Sequence, residues 1–134
     1  MNEKDMYTAE EIKAQKQPVP GKESRMDPEP IYDNPEKKGT GRLKNKTAII
    51  TGGDSGIGRA VAVAYAKEGC NVVIVYNIAD DDANETKKTV ETYGAKALLI
   101  KGDIGVSSFC NEIVDRTLEE FKSIDILVNN AAEQ

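Results

Sequence analysis

The residues best suited to chemistry are Thr51-Gly52-Gly53-Asp54-Ser55-Gly56-Ile57-Gly58. They leave a short apolar run, Ala48–Ile50, and open directly into a helix-patterned stretch. Glycines at this spacing have separate uses. Gly52 permits a tight turn off the strand, Gly56 lets backbone approach a pyrophosphate, and Gly58 lets the helix pack near the sheet. The N–H groups at the helix start, aided by its dipole, face an anion there. Ser55 and Asp54 offer polar contacts, provided the Asp54 carboxylate points away from phosphate. Such a loop holds a nucleotide cofactor; the same glycines in another setting are mere turn residues.

Other candidates lie at the ends of the following apolar runs. Tyr76-Asn77 ends the second and supplies neither the acid that holds a ribose 2′-hydroxyl nor the base that favours a 2′-phosphate. The missing carboxylate leans the cofactor toward NADP rather than NAD. Asp80–Asp82 come slightly late for that role and serve equally to start a helix. Arg59 either reaches an adenosine phosphate or is a surface helix residue. Asp103-Ile104 follows the third run; its carboxylate suits an adenine amino group or a turn. Asn129-Asn130-Ala131-Ala132 ends the fourth, where amides tie backbone groups together and small residues let a cofactor lie close.

Other chemistry is poorly supplied. The 134 residues contain no histidine, the commonest general base and transition-metal ligand. Two cysteines, Cys70 and Cys110, are too sparse for a disulfide framework and read as buried small apolar residues. Net charge is −5, and no basic block suggests nucleic acid or a membrane surface. The charged start MNEKDMYTAE is unlike a signal peptide, and no apolar run is long enough to span a bilayer. A cytoplasmic protein is expected.

The elements that must position these residues begin near Lys46. Residues 1–45 hold all five prolines and few apolar side chains, and read as a disordered extension or as an arm that packs on a partner subunit. Lys37–Gly41 reads as a linker. Strands are predicted at Thr47–Thr51, Asn71–Tyr76, Ala97–Lys101 and Ile124–Val128. Continuous apolarity fits parallel strands covered on both faces. Helices are predicted over about Ile57–Glu68, with Ile57, Val61 and Ala64 on one face; over about Asp82–Tyr93, with Ala83, Thr86, Val90 and Tyr93; and over about Ser108–Lys122, with Cys110, Ile113, Val114, Thr117 and Phe121. Ser107 or Ser108 is the expected cap of the last. Right-handed crossovers then give an α/β, Rossmann-type, doubly wound parallel sheet of order 3-2-1-4. It is the N-terminal half of such a fold, and residues 46–134 are read as a partial NAD(P)-binding domain truncated after the fourth strand. The uncovered fourth strand implies poor solubility or dependence on a partner.

TGGDSGIG resembles the TGxxxGxG loop of the short-chain dehydrogenase/reductase family. Asp103-Ile104 is similar to that family's adenine-pocket Asp-Val. Asn129-Asn130-Ala131-Ala132 is similar to its Asn-Asn-Ala-Gly, with Ala132 for the final glycine. The resemblance spans about Leu43 to Ala132, and the leader with its following segment looks most like bacterial general-stress and glucose/ribitol-dehydrogenase-like members. It implies NAD(P) binding by Gly52, Ser55, Gly56, Ile57, Gly58, Asp103, Ile104, Asn130 and Ala131, and hydride exchange with an alcohol or carbonyl carbon. The family's catalytic Ser, Tyr and Lys lie beyond the Asn-Asn-Ala-Gly motif. Tyr65 and Tyr93 are followed four positions later by Gly69 and Ala97, so no catalytic residue is carried over. Three readings follow: part of a longer oxidoreductase that acts on a small alcohol or carbonyl compound, a stand-alone nucleotide-binding module, or a non-catalytic subunit that pairs with full-length relatives. A homo-oligomer stays open.

Overall fold

Two β-branched runs form the centre of the sheet because every one of their side chains finds cover. The computed structural model describes residues 33–34, 38–54 and 56–130. In chain order the elements are β1 (Thr47–Thr51), α1 (Gly56–Lys67), β2 (Asn71–Tyr76), α2 (Asp80–Thr92), β3 (Ala97–Lys101), α3 (Ser107–Phe121) and β4 (Ile126–Asn129). The strands are parallel in the order β3-β2-β1-β4, the expected Rossmann-type arrangement. Thr47 pairs with Asn71, Val72 with Ala97, and Ala48 with Ile126.

Strand alternation divides the core into two layers. Ala48, Ile50, Val72 and Ile74 pack with Ala62 and Ala66 of α1 and Val90 of α2. Ile49, Val73 and Val75 point to the other face and meet Ile100, Phe109 and Ile113. Each fully buried Val or Ile contributes roughly 1.5–3 kcal/mol of transfer free energy. β4 is covered differently: Ile126 and Val128 pack toward α1's layer, whereas Leu127, on the α3 side, is 61% exposed.

The phase of α1 differs from expectation by one residue, and the stripe of α3 differs in part. On α1 the buried face is Gly58, Arg59, Ala62, Val63 and Ala66, and Ile57 is 75% exposed. Small side chains face the sheet because the helix begins close against the end of β1. On α3, Ile113 and Thr117 are buried and Phe121 packs on the same layer as expected, but Phe109 is buried as well, while Cys110 and Val114 are exposed. The Phe109 ring sets that phase: a Cβ on Gly102 would lie 2.4 Å from it. No serine side chain caps α3. Its N-cap is Val106, preceded by a turn in which Asp103 Oδ1 accepts the Gly105 amide at 2.8 Å. α2 buries Ala83, Thr86 and Val90 as expected, and Asp80–Asp82 form its first turn. β4 begins at Ile126, two residues later than expected, after Asp125 Oδ2 accepts the Thr47 amide at 2.9 Å.

The described part of the leader lies against the ends of α1 and α2. Asp33 accepts from the Tyr93 hydroxyl and pairs with Lys67, and Lys67 Nζ donates to the Asn34 carbonyl at 2.7 Å. Glu68 accepts the amides of Thr40 and Arg42 at 3.2 and 3.0 Å and the Arg42 side chain at 3.1 Å.

Hydrogen bonds from the Arg42 side chain and amide hold the Glu68 carboxyl down to about 2. Because the folded value is depressed, this anchor is complete above the ordinary value of 4.5 and is lost as pH falls toward 2. Protease nicking at Thr40–Leu43 is expected to rise across that window, and Glu68→Gln to show fast nicking at every pH. The thiols offer a second check. Burial pushes Cys70 up to about 11, so iodoacetamide at neutral pH is expected to label Cys110 in the native chain and Cys70 only after unfolding, read by peptide mass spectrometry.

Candidate functional site

β1 and β4 are neighbours, and the crossover that leaves β1, α1, lies on one face of the sheet while the one that enters β4, α3, lies on the other. The crevice at their carboxyl ends is the topological switch point. Thr51, the last residue of β1, joins the two strands: its hydroxyl donates to the Val128 carbonyl at 3.3 Å and accepts the Asn130 amide at 3.1 Å. The loop then turns at Gly52 (φ 69°), whose amide is held by the Val75 carbonyl at 2.8 Å.

Gly58 faces this turn at very short range. A Cβ there would stand 2.1 Å from the Gly52 carbonyl oxygen and 2.7 Å from Asn130 Nδ2. Asn130 Nδ2 itself donates to the Gly52 carbonyl at 3.3 Å. The first turn of α1 is thus seated against the strand end, with its N-terminal amides at the crevice. Gly56 and Ile57 lie exposed there. Among the sequence candidates, the structure brings together Gly52, Gly56, Ile57, Gly58 and Asn130. Asp103 and Ile104 stand past the end of β3, two strands from β1, on the order of 10 Å across the sheet. Both are exposed. Ser55 and Ala131 lie outside the described residues.

Arg59 takes neither of its expected roles. Its side chain is 3% exposed and enters the space between α1 and α2. Nε and Nη2 donate to the Asp54 carbonyl at 3.1 and 2.9 Å; Nε also meets Thr86 Oγ1, and Nη2 the Asp82 carbonyl, each at 2.9 Å. Its charge faces Asp82 Oδ1 and Glu85 Oε2, each at 3.5 Å. Asp82 Oδ2 is buried without a hydrogen-bond donor. Burial also pushes the Asp54 carboxyl above its ordinary range. Nothing in the local sequence marks this network, because its members come from the loop and two helices.

At the end of β2, Asn77 and Ile78 are exposed, and Lys101 Nζ donates to Asp80 Oδ2 at 3.0 Å on the surface. Burial foremost, then Asp80, raises the Tyr76 hydroxyl. Among the described residues, no group of three or more His, Cys, Asp or Glu is placed to hold a metal ion, and no helix is long and apolar enough to cross a membrane.

The Gly58 contact makes a direct prediction. Gly58→Ala sets a methyl against main chain that has no room to yield, so a loss of roughly 1–3 kcal/mol is expected in denaturant unfolding. Gly105→Ala is the contrast, since a Cβ there meets Asp103 Oδ1 at 3.1 Å, the end of an exposed side chain; its unfolding midpoint should stay close to the parent's.

Comparison with known proteins supplies the family. The profile of the short chain dehydrogenases matches residues 46–134. General stress protein 39 of Bacillus subtilis is 59% identical over 115 residues, covering 86% of this chain and 40% of that protein. The chloroplastic NADPH-dependent aldehyde reductase 1 of Arabidopsis thaliana is 41% identical over 121 residues, covering 86% of this chain and 42% of that protein. Among solved structures, a short-chain dehydrogenase/reductase mutant from Serratia marcescens superposes with a TM-score of 0.67 at 35% identity, over 69% of this chain and 38% of that one. The chain thus spans less than half the length of these relatives. With the profile covering residues 46–134, which include every described helix and strand, and the fold and strand order in agreement, this chain belongs to the short-chain dehydrogenase/reductase family.

Proposed function

We propose that residues 46–134 are the nicotinamide-dinucleotide-binding part of an oxidoreductase. The observation that carries this reading is the seating of α1 against the end of β1. Gly58 approaches the Gly52 carbonyl without a Cβ, and Asn130 braces the same carbonyl from β4. This leaves the N-terminal amides of a helix of 12 residues at the switch-point crevice, a fitting cradle for a pyrophosphate.

In this reading Gly52, Ser55, Gly56, Ile57 and Gly58 hold the phosphates. Asn130 and Ala131 lie along the cofactor, and Asp103 with Ile104 bounds the adenine. Bound cofactor supplies hydride exchange with an alcohol or carbonyl carbon. The protein's part is to bind, orient and exclude water. NADP is favoured over NAD by three things: Tyr76-Asn77 carries no carboxylate, Asp80 is engaged by Lys101, and one relative is named for its dependence on NADPH. Two cysteines without a disulfide suit a cytoplasmic setting.

No tyrosine in the 134 residues is followed four positions later by lysine. The Tyr-x-x-x-Lys acid/base pair that the family resemblance implies therefore has no counterpart here. In the proposed reading these residues bind the cofactor, and the acid/base pair is supplied from outside them. Reaction with an alcohol or carbonyl compound would draw on groups outside these 134 residues.

Calorimetric titration of the 134-residue chain with NADP⁺ and NAD⁺ tests the proposal. Tighter binding of NADP⁺ is expected, with at least a tenfold loss in Gly56→Val, because Gly56 has a φ of 60°. A chain that melts cooperatively yet takes up neither nucleotide would overturn it.

A further inference from the structure

We infer that Arg59 is a positioning residue for the nucleotide: from inside the α1–α2 packing it grips the Asp54 carbonyl and so holds the glycine-rich loop in its receiving shape. This rests on the proposed nucleotide-binding reading and adds how the loop is held.

A cation directly after Gly58 is well placed in sequence to meet phosphate. The structure turns it inward instead, with its side chain 3% exposed. Burying a guanidinium carries a large desolvation cost, which is met only when its charge and donors are all matched. Here Asp82 Oδ1 and Glu85 Oε2 face the charge at 3.5 Å, and Thr86 Oγ1 and the Asp82 carbonyl accept from it. An apolar side chain of similar volume would join the two helices without any of these groups. What the arginine adds is a grip on main chain. Nε and Nη2 both donate to the Asp54 carbonyl, and Thr86 Oγ1 lies 3.0 Å from the same oxygen.

That carbonyl belongs to the turn between β1 and α1. A carbonyl oxygen facing the crevice would repel an anion; drawn toward Arg59 and Thr86, it is spent inside the protein. The other end of the turn is fixed separately, by the Val75 carbonyl on the Gly52 amide and by Asn130 on the Gly52 carbonyl. The loop is thereby held at both ends. The Arg59 end is the one fastened through side chains of α1 and α2, so it can be cut without touching a residue that faces the crevice.

The test compares Arg59→Met, Thr86→Val and Val90→Ala in the full 134-residue chain. Val90 is fully buried in the same α1–α2 layer and belongs to no contact with the loop given above. NADP⁺ affinity is measured by calorimetry, Tm by thermal melt, and loop order by amide exchange at Gly53 and Asp54, with Gly52 as the internal reference for the end held by Val75. Arg59→Met is expected to weaken NADP⁺ at least tenfold and to speed exchange of the loop amides. Thr86→Val should weaken binding about threefold. Val90→Ala should lower Tm yet leave affinity within twofold. Equal affinity in Arg59→Met and parent overturns the assignment, as does a loss in Val90→Ala that matches Arg59→Met at equal Tm. Should Arg59→Met fail to fold, an unchanged affinity in Thr86→Val overturns it alone. If the parent binds no nucleotide the cofactor reading fails by itself, while the exchange comparison still decides whether Arg59 orders the loop.

Discussion

The structure turns on one missing atom, the Cβ of residue 58. Its absence lets α1 start against the end of β1, where any methyl would strike the Gly52 carbonyl. Once that approach is made, the rotation of α1 is decided. Gly58, Ala62 and Ala66 must face the sheet, Ile57 must stand outside, and Arg59 must point between the helices. The position of the helix amides at the crevice follows from the same contact.

The sheet supplies the rigidity that this arrangement needs. β1 is buried at every position, and β2 at all but its two ends, because helices lie on both faces. The loop therefore leaves from backbone that is fixed on two sides. Asn130 and Thr51 extend that fixity across to β4, using hydrogen bonds where apolar packing has ended. Short polar ties at strand ends and apolar layers beneath them divide the work: the layers set where the strands lie, and the ties set how the turn is shaped.

The strands were the most legible part of the sequence. A strand covered on both faces needs apolar residues throughout, so NVVIVY and TAIIT announce themselves and their limits. Strand order followed from crossover handedness, and with it the meeting of the glycine loop and Asn130. The phases of α1 and α3 were less legible. Each is influenced by a single close approach between the helix and the turn before it, Gly58 on Gly52 and Phe109 on Gly102, which the spacing of the larger aliphatic residues does not reveal. α2 meets no such constraint and buries the stripe its spacing indicates. The inward turn of Arg59 had no local sign, since its partners Thr86 and Asp82 become neighbours only when the two helices pack.

The pairing of β4 has a kinetic consequence. Thr47 reaches Asn71 across one helix, whereas Ala48 reaches Ile126 only after β2 and β3 have intervened. Closing the longer loop costs about 1 kcal/mol more in chain entropy, and β4 returns less burial for it, since Leu127 stays in solvent. Assembly by the local route therefore forms β1, β2 and their helices first and adds β4 last. Asn130 comes with β4. The crevice is completed only in the final step of folding, so a partly folded chain already has its glycine turn and helix but lacks the brace that shapes them.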